Sequence, residues 1–204
     1  MSTPYKAPSA ENIALLEKLV AALKRRGIVT EEEIARRRET AERASPETGA
    51  RMVARAWTDP AFRELLLRDG TAAAESFGVS MKGNPPLGVL EDTAEVHHLV
   101  VCTLCSCYPR AVIGYPPHWY KSAAYRARAV REPRAVLAEW GTVLPAGVQV
   151  RVVDSTADYR WMVLPLRPEG TEGWSEERLA SLVTRDHLVG VALPGATAGA
   201  AAAA

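Results

Sequence analysis

Three cysteines lie within one short stretch of the chain, and the chain has no others. The segment "VCTLCSC" at 101–107 holds Cys102, Cys105 and Cys107 in the spacing C-x2-C-x-C, within 204 residues. An odd number of clustered thiols does not fit a secreted disulfide framework, and in a reducing compartment it indicates metal or redox chemistry. Three sulfur donors in so short a loop suit a borderline or soft transition metal.

Zinc and iron-sulfur sites each need a fourth ligand that this segment lacks. For structural zinc, His97, His98 or another chain would have to supply it. Both histidines precede Cys102 on a predicted strand whose alternate side chains face opposite sides, so we expect packed or hydrogen-bonded residues rather than ligands. An iron-sulfur cluster normally takes four cysteines. A non-catalytic zinc-binding module remains one alternative.

The backbone offers a second way to complete the ligand set. The sulfurs of Cys105 and Cys107, with the amide nitrogens of Ser106 and Cys107, would close three successive chelate rings, and Cys102 would add a fifth donor. The sixth position would stay open to water or substrate. Because an amide proton is a very weak acid, this arrangement requires a strongly Lewis-acidic ion, which favours low-spin trivalent cobalt or iron over zinc.

The N-terminal part of the chain is predicted to be a helical arm. Apolar residues recur at helical spacing from 10 to 26, and Gly27 follows where a C-terminal cap belongs. Thr30 and Glu33 form a capping box for a second helix. This second helix has few large apolar residues, so residues 1–45 are predicted to gain stability by packing on a partner subunit.

Residues 46–194 are predicted to form the catalytic metal-binding domain. Helices precede a mixture of strands and short helices, which indicates an α+β fold, a mixed α/β core with the metal-binding loop at the end of a strand. Residues 195–204 form a low-complexity tail. The predicted elements are helices after Ser45-Pro46, Asp59-Pro60 and Asp69-Gly70, a long loop at 80–95, a strand from Val96, helices in "WYKSAAYRARAV" and "PRAVLAEWG", strands at 148–154 and 160–165, and a helix capped by Ser175.

Composition argues against several classes of partner. The 25 basic and 24 acidic residues give a formal charge of +1, so neither nucleic acid nor an anionic membrane is implied. No stretch approaches the ~20 apolar residues that cross a bilayer, and the N-terminus lacks the pattern of a signal peptide. We therefore expect a cytoplasmic protein.

The cysteine motif closely resembles the metal-binding signature of the nitrile hydratase alpha subunit. The similarity spans roughly residues 10–194 and includes "ARMVARAWTDPAFRELLLRDG", "EVHHLVVCTLCSCYP", "PPHWYKSAAYRARAVREPRAVLAEWG" and "RWMVLPLRPEGTEGWSEERL". The resemblance implies the fold of that subunit and hydration of a nitrile to an amide.

The resemblance also implies the state of each ligand. Cys102 would bind as a thiolate, Cys105 as a sulfinic acid and Cys107 as a sulfenic acid, with Ser106 and Cys107 bound through deprotonated amides. Thr103 is the residue associated with cobalt members, whereas iron members usually carry serine. The resemblance therefore implies one low-spin Co(III) per subunit rather than Fe(III).

The mechanism and the partners follow from the same resemblance. The metal would act as a Lewis acid, and Cys107, next to Cys105, would supply a sulfenate oxygen as nucleophile or base. A beta subunit would contribute arginines to the oxidised sulfurs, forming a heterodimer or heterotetramer. A metallochaperone or activator protein would load the metal.

Further residues are candidates for the surroundings of the metal. Tyr108 directly follows the last cysteine and could orient the loop. Trp119 is the best candidate for a wall of the substrate pocket, although large aromatic residues also suit a core. Arg167 is a further candidate, or else a structural partner of Asp154.

Two departures from the cobalt nitrile hydratase pattern leave a close relative as an alternative. Arg110 and Ala111 follow "CYP", where many cobalt members have Trp-Pro, and Leu166 stands where glutamine is common. An arginine after "CYP" also resembles the gamma subunit of thiocyanate hydrolase, which shares the metal centre. In that alternative Arg110 would help to attract an anionic substrate, although a surface or interface charge is the simpler interpretation.

Overall fold

The computed structural model describes residues 9–195 of the chain. Residues 1–8 of the predicted arm and 196–204 of the predicted tail lie outside the described residues. The chain divides into two compact units, one ending at Ala44 and the other beginning at Ser45. Within the described range, no helix combines the length and the apolar character needed to cross a bilayer.

The first unit contains two helices, α1 (Ala10–Arg25) and α2 (Glu31–Arg43). Gly27 follows α1 with a φ of 66°, a conformation that glycine adopts without steric cost. The predicted capping box is present: the backbone N–H of Glu33 donates to Thr30 Oγ1 at 3.1 Å, and the backbone N–H of Thr30 donates to the Glu33 carboxylate at 2.9 Å. The sequence therefore determines both boundaries of the turn.

The apolar stripe of α1 is exposed to solvent. None of the residues of α1 is buried. Apolar side chains left open in this unit are Ile13, Leu15, Leu16, Leu19 and Ile28. A stripe of this kind normally packs against another apolar surface, because burial removes it from water.

The second unit combines short helices with four strands, so the predicted α+β class is confirmed. In chain order its described elements are α3 (Glu47–Thr58), α4 (Pro60–Arg68), α5 (Gly70–Ser76), β1 (Leu87–Glu91), β2 (Val96–Val101), α6 (Arg110–Ile113), α7 (His118–Lys121), α8 (Ala123–Arg131), α9 (Pro133–Glu139), β3 (Gln149–Asp154), β4 (Arg160–Leu164), α10 (Glu176–Ala180) and α11 (Arg185–Leu188).

Aspartate and serine caps begin helices where the sequence predicts them. The Asp59 carboxylate accepts the backbone N–H groups of Ala61 and Phe62, at 3.0 and 3.1 Å. Asp69 caps α5, and Ser175 caps α10. Because each cap satisfies N–H groups that lack a partner within the helix, it ends one element and starts the next within few residues.

The four strands form two parallel pairs. β1 pairs with β4, and β2 pairs with β3 in the register Val96↔Gln149 to Val101↔Asp154. Since parallel strands end at the same edge, the exit of β2 lies beside the exit of β3. The backbone N–H of Ser155, the residue after β3, donates to the carbonyl of Val101 at 2.7 Å. This edge positions the cysteines.

Strand β1 corrects the predicted loop at 80–95. Prolines and glycines in this segment are typical of a loop, but Leu87–Glu91 pairs with β4. A Cβ atom on Gly88 would lie 2.4 Å from the Trp161 ring, so the absent side chain makes room for the tryptophan of the neighbouring strand. The glycine that indicates a loop in the sequence is a site of close packing.

Helices α6 and α11 were not predicted, and α7 is separate from α8. Each of α6, α7 and α11 has a single turn, which is too short for hydrophobic periodicity to be recognised.

The core of the second unit lies between α3 and the strands. Met52, Val53 and Ala56 of α3 are buried, together with the β2 residues that lead to the cysteines. A Cβ atom on Gly49 would lie 2.7 Å from Leu188 and 2.8 Å from Ile113, so this glycine lets α3 approach α6 and α11 closely. The edge of the sheet that carries the cysteines is therefore supported by a closely packed core.

Candidate metal centre

Three sulfur atoms converge where β2 ends. We call residues 102–107 the cysteine loop. Cys102 Sγ lies 3.5 Å from Cys105 Sγ, and Cys105 Sγ lies 3.3 Å from Cys107 Sγ. All three sulfurs lie within 4.8 Å of one another. Cys102 and Cys107 are buried, whereas Cys105 is exposed, so the group has a protected base and an open side.

The N-terminal half of the loop is held by β3 and α8. The backbone N–H of Thr103 donates to Asp154 Oδ1 at 3.0 Å, and the Thr103 hydroxyl donates to Asp154 Oδ2. Arg126 Nη1 donates to the Thr103 carbonyl at 3.2 Å. Hydrogen bonds to a charged group are shorter and stronger than neutral ones, so these contacts fix the turn between the first two cysteines.

Two buried tyrosines hold the backbone on either side. The Tyr120 hydroxyl donates to the Cys107 carbonyl at 2.9 Å, and the Tyr125 hydroxyl donates to the Val100 carbonyl at 2.8 Å. Their rings belong to an edge-to-face cluster with Trp119 and Tyr108. The hydroxyls of Tyr120 and Tyr125 are thus both satisfied and anchor the backbone around the loop, whereas the Tyr108 hydroxyl is buried without a hydrogen-bond partner among the described residues.

The thiols differ in acidity because their surroundings differ. Hydrogen bonds from the Cys107 thiol, the Ser106 backbone N–H and the Cys102 thiol lower the pKa of Cys105 to about 7. Burial raises the pKa of Cys107, and its contact with Cys105 adds to this effect. Of these two thiols, the exposed Cys105 is therefore the more acidic in the metal-free loop.

The direction of the backbone amides fits a metal that binds through sulfur and nitrogen. Besides Ser106, the Cys107 backbone N–H also stabilises the Cys105 thiolate, so both amides point toward the sulfur group. Soft sulfur and amide nitrogen suit a transition metal rather than a hard cation. Among residues 9–195, this group of potential ligands contains cysteines alone. The residues present therefore fit the metal centre that the sequence predicts.

The two histidines on β2 serve the fold, as expected. His98 Nδ1 lies 3.0 Å from Asp92 Oδ1, and His97 Nδ1 lies 2.9 Å from Asp92 Oδ2. His97 Nε2 also makes a 2.7 Å hydrogen bond with the Gly190 carbonyl. Both rings are buried and tie the turn before β2 to the chain after α11.

The other predicted site residues are distributed unevenly around the loop. Tyr108 is buried next to Cys107, with its ring centroid 4.9 Å from that of Tyr120. Trp119 is half-buried, with its ring centroid 4.5 Å from that of Trp140. Arg110 is exposed and lies over the Tyr115 ring, 5.3 Å from its centroid.

Arg167 lies elsewhere, and its possible pairing with Asp154 is wrong. Its guanidinium donates to the carbonyl of Trp57 at 3.0 Å and to Thr171 Oγ1 at 3.0 Å. Asp154 instead bonds Thr103. None of the described hydrogen bonds of Arg167 involves the cysteine loop, because the residue fastens the chain after β4 to the end of α3.

A small cavity of about 20 Å³ lies at Tyr108 and Pro109, the two residues after the cysteine loop, and no loop residue lines it. Its lining includes Tyr108, Pro109, Arg110 and Arg160. A cavity of this size holds roughly one water molecule. A larger groove of about 540 Å³ between α3 and α10 contains no residue of the cysteine loop. Neither of these two cavities is therefore a substrate-sized pocket lined by the cysteines.

Several residues near the loop were missed from the sequence. Asp154 and Arg126 bond Thr103, and Tyr120 bonds Cys107. Asp154 ends a β-branched run, "VQVRVVD", as the cysteines end another. If the two runs are known to pair as parallel strands, their ends must meet, and Asp154 is then expected near the cysteines.

Three clustered thiols at the end of a buried parallel strand, within an α+β unit, are typical of a metalloprotein whose metal is bound by cysteines. The chain belongs to the nitrile hydratase alpha chain family, whose model matches residues 10–192. Among curated relatives, the low-molecular weight cobalt-containing nitrile hydratase subunit alpha of Rhodococcus rhodochrous is 56% identical over 149 residues, 73% of this chain and 72% of that protein.

Two further relatives show how the family divides. Thiocyanate hydrolase subunit gamma of Thiobacillus thioparus is 43% identical over 203 aligned residues, covering 92% of this chain and 84% of that one. Among solved structures, a double mutant of the Fe-type nitrile hydratase from Comamonas testosteroni Ni1 has a TM-score of 0.88 and 44% identity over 94% of each chain. Cobalt, iron and thiocyanate members are thus all similar to this chain.

Proposed function

We propose that the chain is the metal-bearing alpha subunit of a cobalt nitrile hydratase, which converts R–C≡N and H₂O into R–CO–NH₂. The observation that carries the proposal is the convergence of three sulfurs within 4.8 Å at the end of β2, in a chain of this family. One Co(III) per subunit would be held by Cys102, Cys105 and Cys107 and by the amide nitrogens of Ser106 and Cys107.

Cobalt is preferred over iron for two reasons. Thr103 is the residue that the resemblance associates with cobalt, and several similar relatives are named as cobalt-containing. When bound, the ion supplies Lewis acidity, which polarises a nitrile and makes water more acidic. The similar Fe-type structure keeps iron as the second choice.

The cysteines would have distinct roles in the reaction. We assign Cys107 the sulfenate oxygen that acts as nucleophile or base toward the nitrile carbon, and Cys105 the sulfinic acid beside it. Burial of Cys107 supports this role, because a nucleophile shielded from water reacts with a bound substrate rather than with solvent species. Tyr108 and Thr103 would hold the loop, and Trp119 would help to wall the pocket.

A second subunit would complete the site. Leu104, between Cys102 and Cys105, is 87% exposed, and the stripe of α1 is also open. An exposed apolar side chain within the metal loop favours a protein interface there, and the stripe of α1 independently favours a second apolar contact. We assign this interface to a beta subunit, and residues 1–45 to an arm that packs on it. Metal loading would require an activator protein.

Thiocyanate hydrolysis is the second candidate. Arg110 is exposed three residues after Cys107, and a guanidinium at this position favours an anion over a neutral nitrile. The reaction would be SCN⁻ + 2 H₂O → COS + NH₃ + OH⁻. The relative with this printed name aligns with 92% of the present chain.

Co-expression with the adjacent subunit genes provides the test. Cobalt analysis and intact mass of the purified complex should give one cobalt and about three added oxygens on the alpha chain. Zinc with unmodified thiols would instead support the zinc-binding module. Amide formed from a nitrile supports the first function, while carbonyl sulfide from thiocyanate, without nitrile turnover, supports the second.

A further inference from the structure

A continuous group of aromatic rings extends from the cysteine loop to the protein surface. We call it the aromatic cluster, and its members are Tyr108, Trp119, Tyr120, Tyr125 and Trp140. The ring centroids of members in contact lie between 4.5 and 5.9 Å apart. Tyr108 is buried directly after Cys107, whereas Trp140 is 39% exposed. The cluster therefore connects the buried side of the loop with solvent.

Tyr120 is the member whose side chain bonds the loop. Its hydroxyl donates to the Cys107 carbonyl at 2.9 Å. Its ring centroid lies 5.9 Å from that of Trp119, which in turn lies 4.5 Å from that of Trp140. Two ring-to-ring steps therefore separate the surface tryptophan from the ring that is bonded to the loop.

The cluster contains tyrosine and tryptophan but no phenylalanine. The two phenylalanines of the chain, Phe62 and Phe77, pack against each other outside the cluster, with ring centroids 5.3 Å apart. The Tyr108 hydroxyl is buried without a hydrogen-bond partner among the described residues, so packing alone would favour phenylalanine there. Phenol and indole hold their π electrons less tightly than a benzene ring does. The composition therefore favours electron transfer as a role beyond packing.

The two tryptophans are the members that can hold a positive charge. Indole can lose an electron and keep its proton, whereas an oxidised phenol must release its proton at once. The Tyr120 and Tyr125 hydroxyls donate to backbone carbonyls, which are poor bases. Burial also raises the pKa of Tyr125. These two phenols therefore connect the rings, while Trp119 and Trp140 are the sites of oxidation.

We propose that the aromatic cluster is an electron-transfer path, through which Trp119 and Trp140 supply electrons to the cysteine loop when an oxidant attacks it. The proposal rests on the proposed function, because it requires a transition metal at the loop, either cobalt or iron. Oxidising equivalents leave the loop for the surface, so the cysteines are protected from oxidation to the irreversible sulfonic acid. A small thiol that donates a hydrogen atom to the indole radical restores Trp140.

Without a thiol, the electrons come permanently from the indole. Peroxide takes up electrons at the loaded loop as H₂O₂ + 2 e⁻ + 2 H⁺ → 2 H₂O. Trp140 supplies them one at a time through Trp119 and adds water at a ring carbon, as Ind–H + H₂O → Ind–OH + 2 e⁻ + 2 H⁺. The sum is Ind–H + H₂O₂ → Ind–OH + H₂O, in which the indole oxygen comes from solvent. Direct attack by peroxide would instead leave a peroxide oxygen on the ring.

The origin of that oxygen provides the test. The purified, cobalt-loaded complex is treated with hydrogen peroxide in water labelled with heavy oxygen, and peptide mass spectrometry locates the label. In the wild type Trp140 should be labelled, whereas Trp174, half-buried beneath the Arg178 guanidinium, should not. Trp119→Phe keeps a ring but removes the indole. Labelling of Trp140 in this variant should fall to the level of Trp174, although the direct access of peroxide to Trp140 is retained.

Trp174→Phe is the matched control, in which Trp140 should be labelled as in the wild type. Trp140→Phe changes a partly exposed ring and should move the label to Trp119, so it provides the decisive variant if Trp119→Phe does not fold. Unlabelled Trp140 in a wild-type complex that contains the metal, or equal labelling in Trp119→Phe, would overturn the proposal alone. A wild-type complex without a transition metal would contradict the proposed function as well.

Discussion

Asp154 is the residue that connects the cysteine loop to the sheet. Its carboxylate accepts both the backbone N–H and the hydroxyl of Thr103. Asp154→Ala should therefore loosen the turn between Cys102 and Cys105 and weaken metal retention by roughly 10- to 100-fold. Cobalt loss to a chelator measures this effect. Asp158→Ala, at an exposed aspartate after the same strand, should match the wild type.

Tyr120 and Tyr125 allow the loop contact to be separated from general stability. Both rings are buried, and each hydroxyl donates to one backbone carbonyl, of Cys107 and Val100 respectively. Tyr120→Phe and Tyr125→Phe should each lower the free energy of unfolding by about 1–3 kcal/mol, because a buried carbonyl loses its donor.

Cobalt retention should distinguish the two tyrosine variants. It should fall in Tyr120→Phe and stay near the wild-type value in Tyr125→Phe, since Tyr120 alone of the pair contacts the loop. Equal retention would show that the Tyr120 hydroxyl supports the core rather than the metal centre.

The ligands could be predicted from the sequence, whereas their supports could not. Cys102, Cys105 and Cys107 are neighbours in the chain, so their spacing is sufficient to bring them together. Asp154 reaches the loop through the pairing of β3 with β2, across about fifty positions of chain, which no local pattern records.

At the scale of elements, Gly190 sets how closely the chain after α11 approaches β2. Its φ is 78°, and a Cβ atom would lie 1.8 Å from the His98 carbonyl oxygen. Gly190→Ala therefore combines an unfavourable backbone conformation with a clash against backbone. We expect the melting temperature to fall by about 10 °C or more, the equivalent of a severe core mutation.

Gly78 supplies the matched control for this substitution. It has the same φ of 78°, but a Cβ atom there would meet nothing within 4 Å. Gly78→Ala should cost only the left-handed conformation, about 1–2 kcal/mol. Similar melting temperatures for the two variants would exclude the clash as the cause.

The turn between β1 and β2 should make stability depend on pH. Burial opposes the charged form of Asp92, but hydrogen bonds from His97 and His98 outweigh it and lower the pKa of Asp92. Burial likewise opposes charge on His97, yet its bond to Asp92 outweighs this and raises the pKa of His97.

The direction of each pKa shift defines the pH range over which that residue contributes to stability. Stability from a raised histidine pKa is complete below the unfolded value of about 6.5 and is lost as pH rises through the folded value. Stability from Asp92 is present above about 3.9 and is lost as pH falls through its lowered pKa. Denaturant unfolding between pH 6 and 9 should show a larger fall in the wild type than in His97→Asn. Parallel profiles would contradict this assignment.

Caps were predictable at this scale, but one strand was not. Asp59, Asp69 and Ser175 each accept N–H groups of the helix that directly follows, so the local sequence is sufficient to predict these caps. Strand β1 depends on β4, more than sixty positions away, and its Gly88 has a role only once Trp161 lies against it. Local patterns contain no information about such a neighbour.

At the scale of the whole molecule, the open stripe of α1 should govern association. Leu16→Gln combined with Leu19→Gln removes apolar side chains that are more than half exposed. The melting temperature of the alpha chain should change by little, because no burial is lost. Co-purification with the second subunit should fall at least tenfold, since a few buried apolar residues dominate most interfaces.

Glu17→Gln combined with Lys18→Gln is the control on the same helix, and it should leave co-purification unchanged. Undiminished association of the leucine variant would exclude this stripe as the partner contact. The cytoplasmic location and the activator protein stay predictions from the sequence.

The parallel pairing of β2 with β3 also determines when the site can form during synthesis. Cys102 leaves the ribosome well before β3 and before Gly190, whose carbonyl is bonded to His97. At about 5–20 residues per second, translation from Cys102 to Val191 takes roughly 5–20 s. During this interval the nascent thiols lack the backbone geometry that selects an ion. The proposed cobalt centre should therefore be loaded only after β3 and Gly190 have been synthesised and the sheet has closed around the loop.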